Sequence, residues 1–231
     1  MAEPNSGVRP GVGLSFAGIY EGLLEAFGPQ HWWPADTPFE VAVGAVLTQN
    51  TAWTNVERAI ANLKEAGCLT PQGLLDLSPE RLAELIRPAG YFNVKAARLR
   101  ALCEFLLGEC PEGDIRHLAP RPTTSVRNEL LRVKGVGEET ADSILLYALD
   151  HPVFVVDAYT VRIFQRLDLL ETGLSYGDVQ ARFHAALPTD RALFNEYHAL
   201  VVALGKDHCK PRPRCGACPL RVDCPTAGSP D

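Results

Sequence analysis

The sequence predicts an all-α protein, on three observations. Apolar residues recur at helical spacing along most of the chain. Proline follows a hydroxyl residue at Thr70-Pro71 and Ser78-Pro79, the pattern of a helix start. A short glycine turn, Gly135-Val136-Gly137, joins two amphipathic segments. The 231 residues suffice for one large or two small domains with a real core. The connections are short enough for a packed bundle.

Residues 1 to 11, rich in Gly, Pro and Ser, read as a loose tail. Leu14 to Phe27 places Phe16, Ile19, Leu23, Leu24 and Phe27 at helical spacing and stops at Gly28-Pro29. His31 to Pro38 is a loop punctuated by Pro34 and Pro38. In a regular element the adjacent Trp32 and Trp33 would point to opposite sides, so one is expected to face a cleft or another layer. Phe39 to Leu47 is almost wholly apolar and fits a buried strand or a buried helix. The helical context decides for helix, against the β-branched content.

Thr48 to Thr51 is a polar break. Ala52 to Ala66 carries Val56, Ala59, Ile60 and Leu63 on one stripe. Leu74 to Leu77, Pro79 to Ile86 and Val94 to Leu107 read as further helices, and Gly108 to Thr124 as a loop. Ser125 to Arg132 and Glu138 to Leu149 form a helical pair around the turn Val133 to Gly137. Asp157 follows a buried-looking run and caps a helix through Leu167. Helices at Tyr176 to Ala186 and Ala192 to Leu204 precede a cysteine-rich end.

Composition limits the function. Hydrophobic content of 46% with mixed charge excludes disorder, and no apolar run is long enough to span a bilayer. Met1 to Pro10 lacks the charged-then-apolar layout of a signal peptide, so the cytoplasm is the expected compartment. The net charge of −6 argues against nucleic acid only as a sum, because binding depends on where basic residues cluster. Cys68, Cys103 and Cys110 read as small buried hydrophobes. Cys209, Cys215, Cys218 and Cys224 are spaced as ligands of zinc or an iron–sulfur cluster, and spacing alone does not choose between them. Lys206, Lys210, Arg212, Arg214 and Arg221 interleave them and make a basic patch suited to phosphates.

The glycine turn suits a phosphate as well. The first N–H groups of the following helix lack intrahelical partners and carry partial positive charge, and Arg127, Arg132 and Lys134 stand nearby. Leu131, Gly135, Val136, Gly137, Thr140 and Ala141, followed by Val155, Val156 and Asp157, resemble the helix–hairpin–helix and catalytic-aspartate signature of the endonuclease III superfamily of DNA glycosylases. The resemblance extends over about residues 14 to 224. It implies two domains with a DNA cleft between them. Residues 39–150 would form a six-helix barrel, and residues 1–38 plus 151–231 a discontinuous helical domain bearing a [4Fe–4S] cluster. It makes Cys209, Cys215, Cys218 and Cys224 the ligands, with zinc as the alternative. It puts Lys134, Gly135, Val136, Gly137 and Thr140 against DNA, and it makes Gln49 and Asn50 the wedge that fills the gap left by a flipped base.

The resemblance makes Asp157 the catalyst. Ionised at a helix N-terminus, it would stabilise the positive sugar left by a departing base and orient the attacking water. Members that also nick the strand carry a lysine two residues after the second hairpin glycine, where this chain has Glu139. A carboxylate forms no Schiff base, so the expected product is an abasic site. Trp32, Trp33, Pro34 and Trp53 resemble the base pocket of the endonuclease III-like 3-methyladenine DNA glycosylases, and tryptophan faces attract cationic alkylpurines. The expectation is a monomeric base excision repair enzyme, acting at the nucleoid on double-stranded DNA that contains a damaged base. It would be a monofunctional glycosylase for an alkylated purine. The alternatives are an endonuclease III-like glycosylase/lyase for oxidised pyrimidines and a catalytically silent DNA binder.

Overall fold

The computed structural model describes residues 14–227. The expected loose tail at residues 1 to 11 lies outside them. Among the described residues there are eleven α-helices and no strand. They are α1 (Phe16–Phe27), α2 (Pro38–Leu47), α3 (Trp53–Glu65), α4 (Pro71–Asp76), α5 (Pro79–Leu85), α6 (Phe92–Glu109), α7 (Thr123–Leu130), α8 (Glu138–Ser143), α9 (Ala158–Arg166), α10 (Tyr176–Ala186) and α11 (Arg191–Asp207).

Helix starts follow local chemistry. The hydroxyls of Thr37, Thr70 and Ser78 accept from the N–H groups of Glu40, Gly73 and Arg81, each just ahead of a first-turn proline. Two expectations shift. The segment expected as one helix from Glu138 to Leu149 is α8 followed by a π-helical turn over Ile144–Ala148. The loop expected at 108–124 contains 3₁₀ turns at Pro111–Gly113 and Ile115–Leu118, and α7 already begins at Thr123.

The chain divides into two compact units. One is His31–Val155 with Asp190–Asn195; the other takes the described residues up to Gln30, Val156–Thr189 and the chain from Glu196 on. The expected boundaries, at 38/39 and 150/151, are therefore displaced. Trp33 packs on Trp53 and Tyr147, which joins the 31–37 loop to the first unit. Phe154 meets Phe194 edge to face, with ring centroids 5.7 Å apart, which joins 151–155 and 190–195 to it as well.

In the first unit α2 is the central helix. Every residue from Phe39 to Leu47 is buried, and α3, α6 and α8 pack on it. A helix that is apolar all round is stable only when enclosed, and enclosure is what overrides its β-branched content. Cys68, Cys103 and Cys110 are buried there as expected. In the second unit Phe16 stacks on Phe164 at 5.2 Å and meets Phe183 edge to face at 4.7 Å, tying α1 to α9 and α10.

The α7–α8 pair carries an ion pair that spacing does not reveal. Arg127 Nε donates to Asp142 Oδ1 at 2.7 Å and its Nη2 to Oδ2 at 3.1 Å, and Asp142 has no solvent exposure. Arg127, expected to add positive charge beside the turn, stays partly exposed and also reaches Glu138 Oε1, 3.4 Å from its Nη2. Arg127→Ala leaves a buried carboxylate without its guanidinium. The expected loss is about 3–5 kcal/mol of stability, read from urea denaturation midpoints.

Candidate active site

The hairpin between α7 and α8 is built from inside. Val136 is buried in the core, as expected for a plug between the glycines. Gly135 has φ +91°, and a Cβ there would stand 2.2 Å from Arg98 Cγ. Backbone conformation and packing both demand glycine at that position. Gly137 caps α8 in extended conformation and offers its first-turn N–H groups no side-chain acceptor. Lys134, Glu138 and Glu139 are exposed.

Gln49 and Thr140 meet each other. Gln49 Nε2 donates to Gly135 O at 3.2 Å and to Thr140 Oγ1 at 2.9 Å, and Arg98 donates to Gln49 Oε1. The Gln49 carboxamide is engaged on both ends, and Thr140 is buried beneath it. Both side chains tie the polar break to the hairpin. Asn50 is the residue of the pair that is exposed, at φ 53°.

The three tryptophans come together. Trp32 and Trp33 both reach Trp53, at 4.7 and 5.1 Å between ring centroids, and Trp33 also meets Tyr147 at 5.2 Å. The 31–37 segment is irregular, as expected, so the two rings are free of the alternation of a regular element and lie 5.1 Å apart. Buried Glu40 fastens that loop: its Oε2 accepts from Asp36 N at 3.1 Å, while Lys64 Nζ lies 2.7 Å from both Glu40 and Asp36. Pro34 is exposed beside the cluster.

Asp157 lies in the second unit, as the N-cap of α9. Its Oδ1 accepts from Thr160 N at 2.7 Å and from Thr160 Oγ1 at 2.8 Å, and its own N–H points back at that hydroxyl at 3.4 Å. His198 Nε2 of α11 stands 3.6 Å from Oδ2, and the carboxylate is 11% exposed. Burial works to raise the Asp157 pKa. The His198 ring and the Thr160 donors outweigh it and hold the carboxyl below the ordinary aspartate value. His198 escaped sequence reading, because nothing local separates it from a core histidine on the apolar face of α11.

The cysteine loop is fastened to the other end of α9. Arg162 Nε donates to Cys209 O at 2.8 Å, and Arg166 Nη1 donates to Lys210 O at 2.6 Å and Cys209 Sγ at 3.4 Å. Cys209, Cys215, Cys218 and Cys224 line one cavity of about 220 Å³ together with Arg166 and Arg221. Burial pushes the Cys218 thiol up to about 11, and the other three cysteines add to it. Four thiols around a cavity, flanked by two guanidiniums, are a donor set for a soft metal centre. Among the described residues no three His, Cys, Asp or Glu side chains converge to hold a single metal ion.

A helix start with open backbone donors suits a phosphate, and a carboxylate kept ionised at a helix start suits a neighbouring positive charge. Comparison with known proteins makes this specific. The family model described as "HhH-GPD superfamily base excision DNA repair protein" matches residues 43–189. A Methanocaldococcus jannaschii protein, named as a candidate DNA repair glycosylase, is 46% identical over 89% of this chain and 94% of its own. Endonuclease III of Thermotoga maritima is 32% identical over 81% of this chain and 82% of its own. A solved endonuclease III–DNA complex superposes with a TM-score of 0.79 at 25% identity, covering 90% of this chain and 93% of that one. The chain belongs to the HhH-GPD superfamily and is a DNA glycosylase. No helix among the described residues is long and apolar enough to cross a membrane.

The lowered Asp157 value has a defined sign in acid. Its ionised form contributes stability that is complete above the ordinary aspartate range and is lost as pH falls through the lowered native value. Thr160→Val removes the hydroxyl donor, raises that value and moves the loss to higher pH. Denaturation midpoints followed between roughly pH 2 and 6 check this.

Proposed function

We propose that this glycosylase removes a damaged, alkylated purine from double-stranded DNA and stops at the abasic site. One observation carries the proposal: the first turn of α8 presents the carboxylate of Glu139 where the lyase-active members of the resembled family present an amine. Asp157, buried and ionised, stabilises the cationic sugar and aligns the water that replaces the base. Glu139 keeps the reaction hydrolytic. Gly135, Val136 and Gly137, with exposed Lys134, hold the phosphate backbone, and Thr140 supports the hairpin from beneath. Asn50 enters the vacated stack while Gln49 anchors it. Trp32, Trp33 and Trp53, with Pro34 at their side, offer the flat cation-attracting walls that an alkylpurine selects.

The purine reading is supported by a solved Helicobacter pylori 3-methyladenine DNA glycosylase, described as bound to 1,N6-ethenoadenine. It superposes with a TM-score of 0.68 at 29% identity, over 81% of this chain and 95% of that one. A second reading, glycosylase/lyase action on oxidised pyrimidines, is supported by the higher TM-score to endonuclease III. Four thiols lining one cavity of about 220 Å³ would suit a [4Fe–4S] cluster, with zinc as the alternative. Such a cluster supplies structural cross-linking of the loop, held by Cys209, Cys215, Cys218 and Cys224.

Duplexes carrying one defined lesion each are incubated with the protein and resolved with and without alkali. Release of 3-methyladenine or 1,N6-ethenoadenine, with strand scission only after alkali, is the expected result. Scission without alkali would establish the lyase reading. Asp157→Asn is expected to lower release by about 10⁴-fold at unchanged duplex affinity. A visible absorbance band that bleaches on oxidation is expected of the purified protein; its absence alongside bound zinc would overturn the cluster.

A further inference from the structure

Lys95 of α6 is buried, at 1% exposure, and its ammonium is fully used. Nζ donates to Leu47 O at 2.9 Å, to Thr51 Oγ1 at 2.7 Å and to Ala89 O at 2.8 Å. The Thr51 hydroxyl in turn donates to Ala89 O at 2.5 Å. One side chain thus joins the last carbonyl of α2, the polar break 48–51 and the 3₁₀ turn Arg87–Ala89 that leads into α6.

Burying an ammonium is costly, and a leucine or methionine would fill the same space on α6 without that cost. Burial pushes the Lys95 ammonium down to about 8, with Arg98 adding to the effect. The two turns it joins supply the reason for keeping it. Each carries a non-glycine residue in the left-handed region, Asn50 at φ 53° and Tyr91 at φ 43°. Such conformations cost of order 1–2 kcal/mol each and persist only where the surroundings impose them. Both residues are exposed, Tyr91 at 72%.

We propose that Lys95 is a positioning residue, whose three hydrogen bonds hold the Asn50 turn against the Tyr91 turn in the single arrangement from which Asn50 enters the base stack. The proposal rests on the reading of Asn50 as the residue that meets the vacated stack. Lys95 touches neither base nor sugar; it acts through Thr51 and the two carbonyls. Its loss is therefore felt in base extrusion more than in the grip on the backbone, which belongs to the hairpin.

Lys95→Met keeps the aliphatic volume and removes every donor; Lys95→Arg keeps the charge. Hydrogen exchange of the free protein is the first test. In Lys95→Met, amides in 48–52 and 89–92 are expected to exchange at least about ten-fold faster, while 133–138 keep wild-type rates. Unchanged exchange in both turns overturns the clamp, whatever the enzyme does to DNA. Single-turnover base release is the second. It is expected to fall by at least about ten-fold, with undamaged-duplex affinity within about two-fold of wild type. Release is restored when the damaged base is supplied already unpaired in a one-nucleotide bulge, and partly by Lys95→Arg. Wild-type release by Lys95→Met, or a loss that the bulge does not restore, overturns the role in extrusion. Failure of the wild-type protein to release any base overturns the proposed function instead, and leaves the clamp decided by exchange.

Discussion

The carboxylate of Asp157 depends on one helix. α9 begins with Asp157 as its cap and ends with Arg162 and Arg166 gripping the backbone of the cysteine loop. α11 runs beside it, with His198 against Asp157 and, beyond its end, Cys209 against Arg162. The carboxylate is thereby held at a fixed depth: shallow enough to keep 11% exposure, deep enough that its charge is set by His198 and Thr160 instead of by bulk water.

The larger unit solves its own problem with buried charge. Three ionic side chains lie inside it, each next to an irregular stretch of chain. Glu40 secures the tryptophan loop, Asp142 secures the hairpin through Arg127, and Lys95 secures the turns at 48–51 and 87–91. Apolar packing is non-directional and orients a turn poorly. A buried charge with several short hydrogen bonds admits few alternatives, because each broken bond leaves an unsolvated polar group.

These features were legible in the sequence to different depths. Helix starts at Thr70, Ser78 and Asp157 were readable because the accepting cap and the N–H that donates to it lie three residues apart. The burial of Val136 was readable from the pattern around it. The pairing of Arg127 was not readable, since its partner Asp142 lies fifteen residues away on the next helix. Gln49 and Thr140 were taken for DNA contacts, and their engagement with each other appears only when segments 91 residues apart meet. Lys95, in the run Asn93-Val94-Lys95-Ala96-Ala97-Arg98, looks like any solvated helix lysine. Residues 190–195 joined the larger unit against expectation because the Phe154–Phe194 contact has no local signal.

The two hairpin glycines have unlike causes. At Gly135 the fold itself forbids a side chain, through its φ of +91° and the Arg98 chain lying against it. At Gly137 the backbone is extended, and an added Cβ would find nothing within 4 Å. An alanine would be tolerated there by every atom of the free protein. Folding thus dictates the first glycine and leaves the second position open to a side chain.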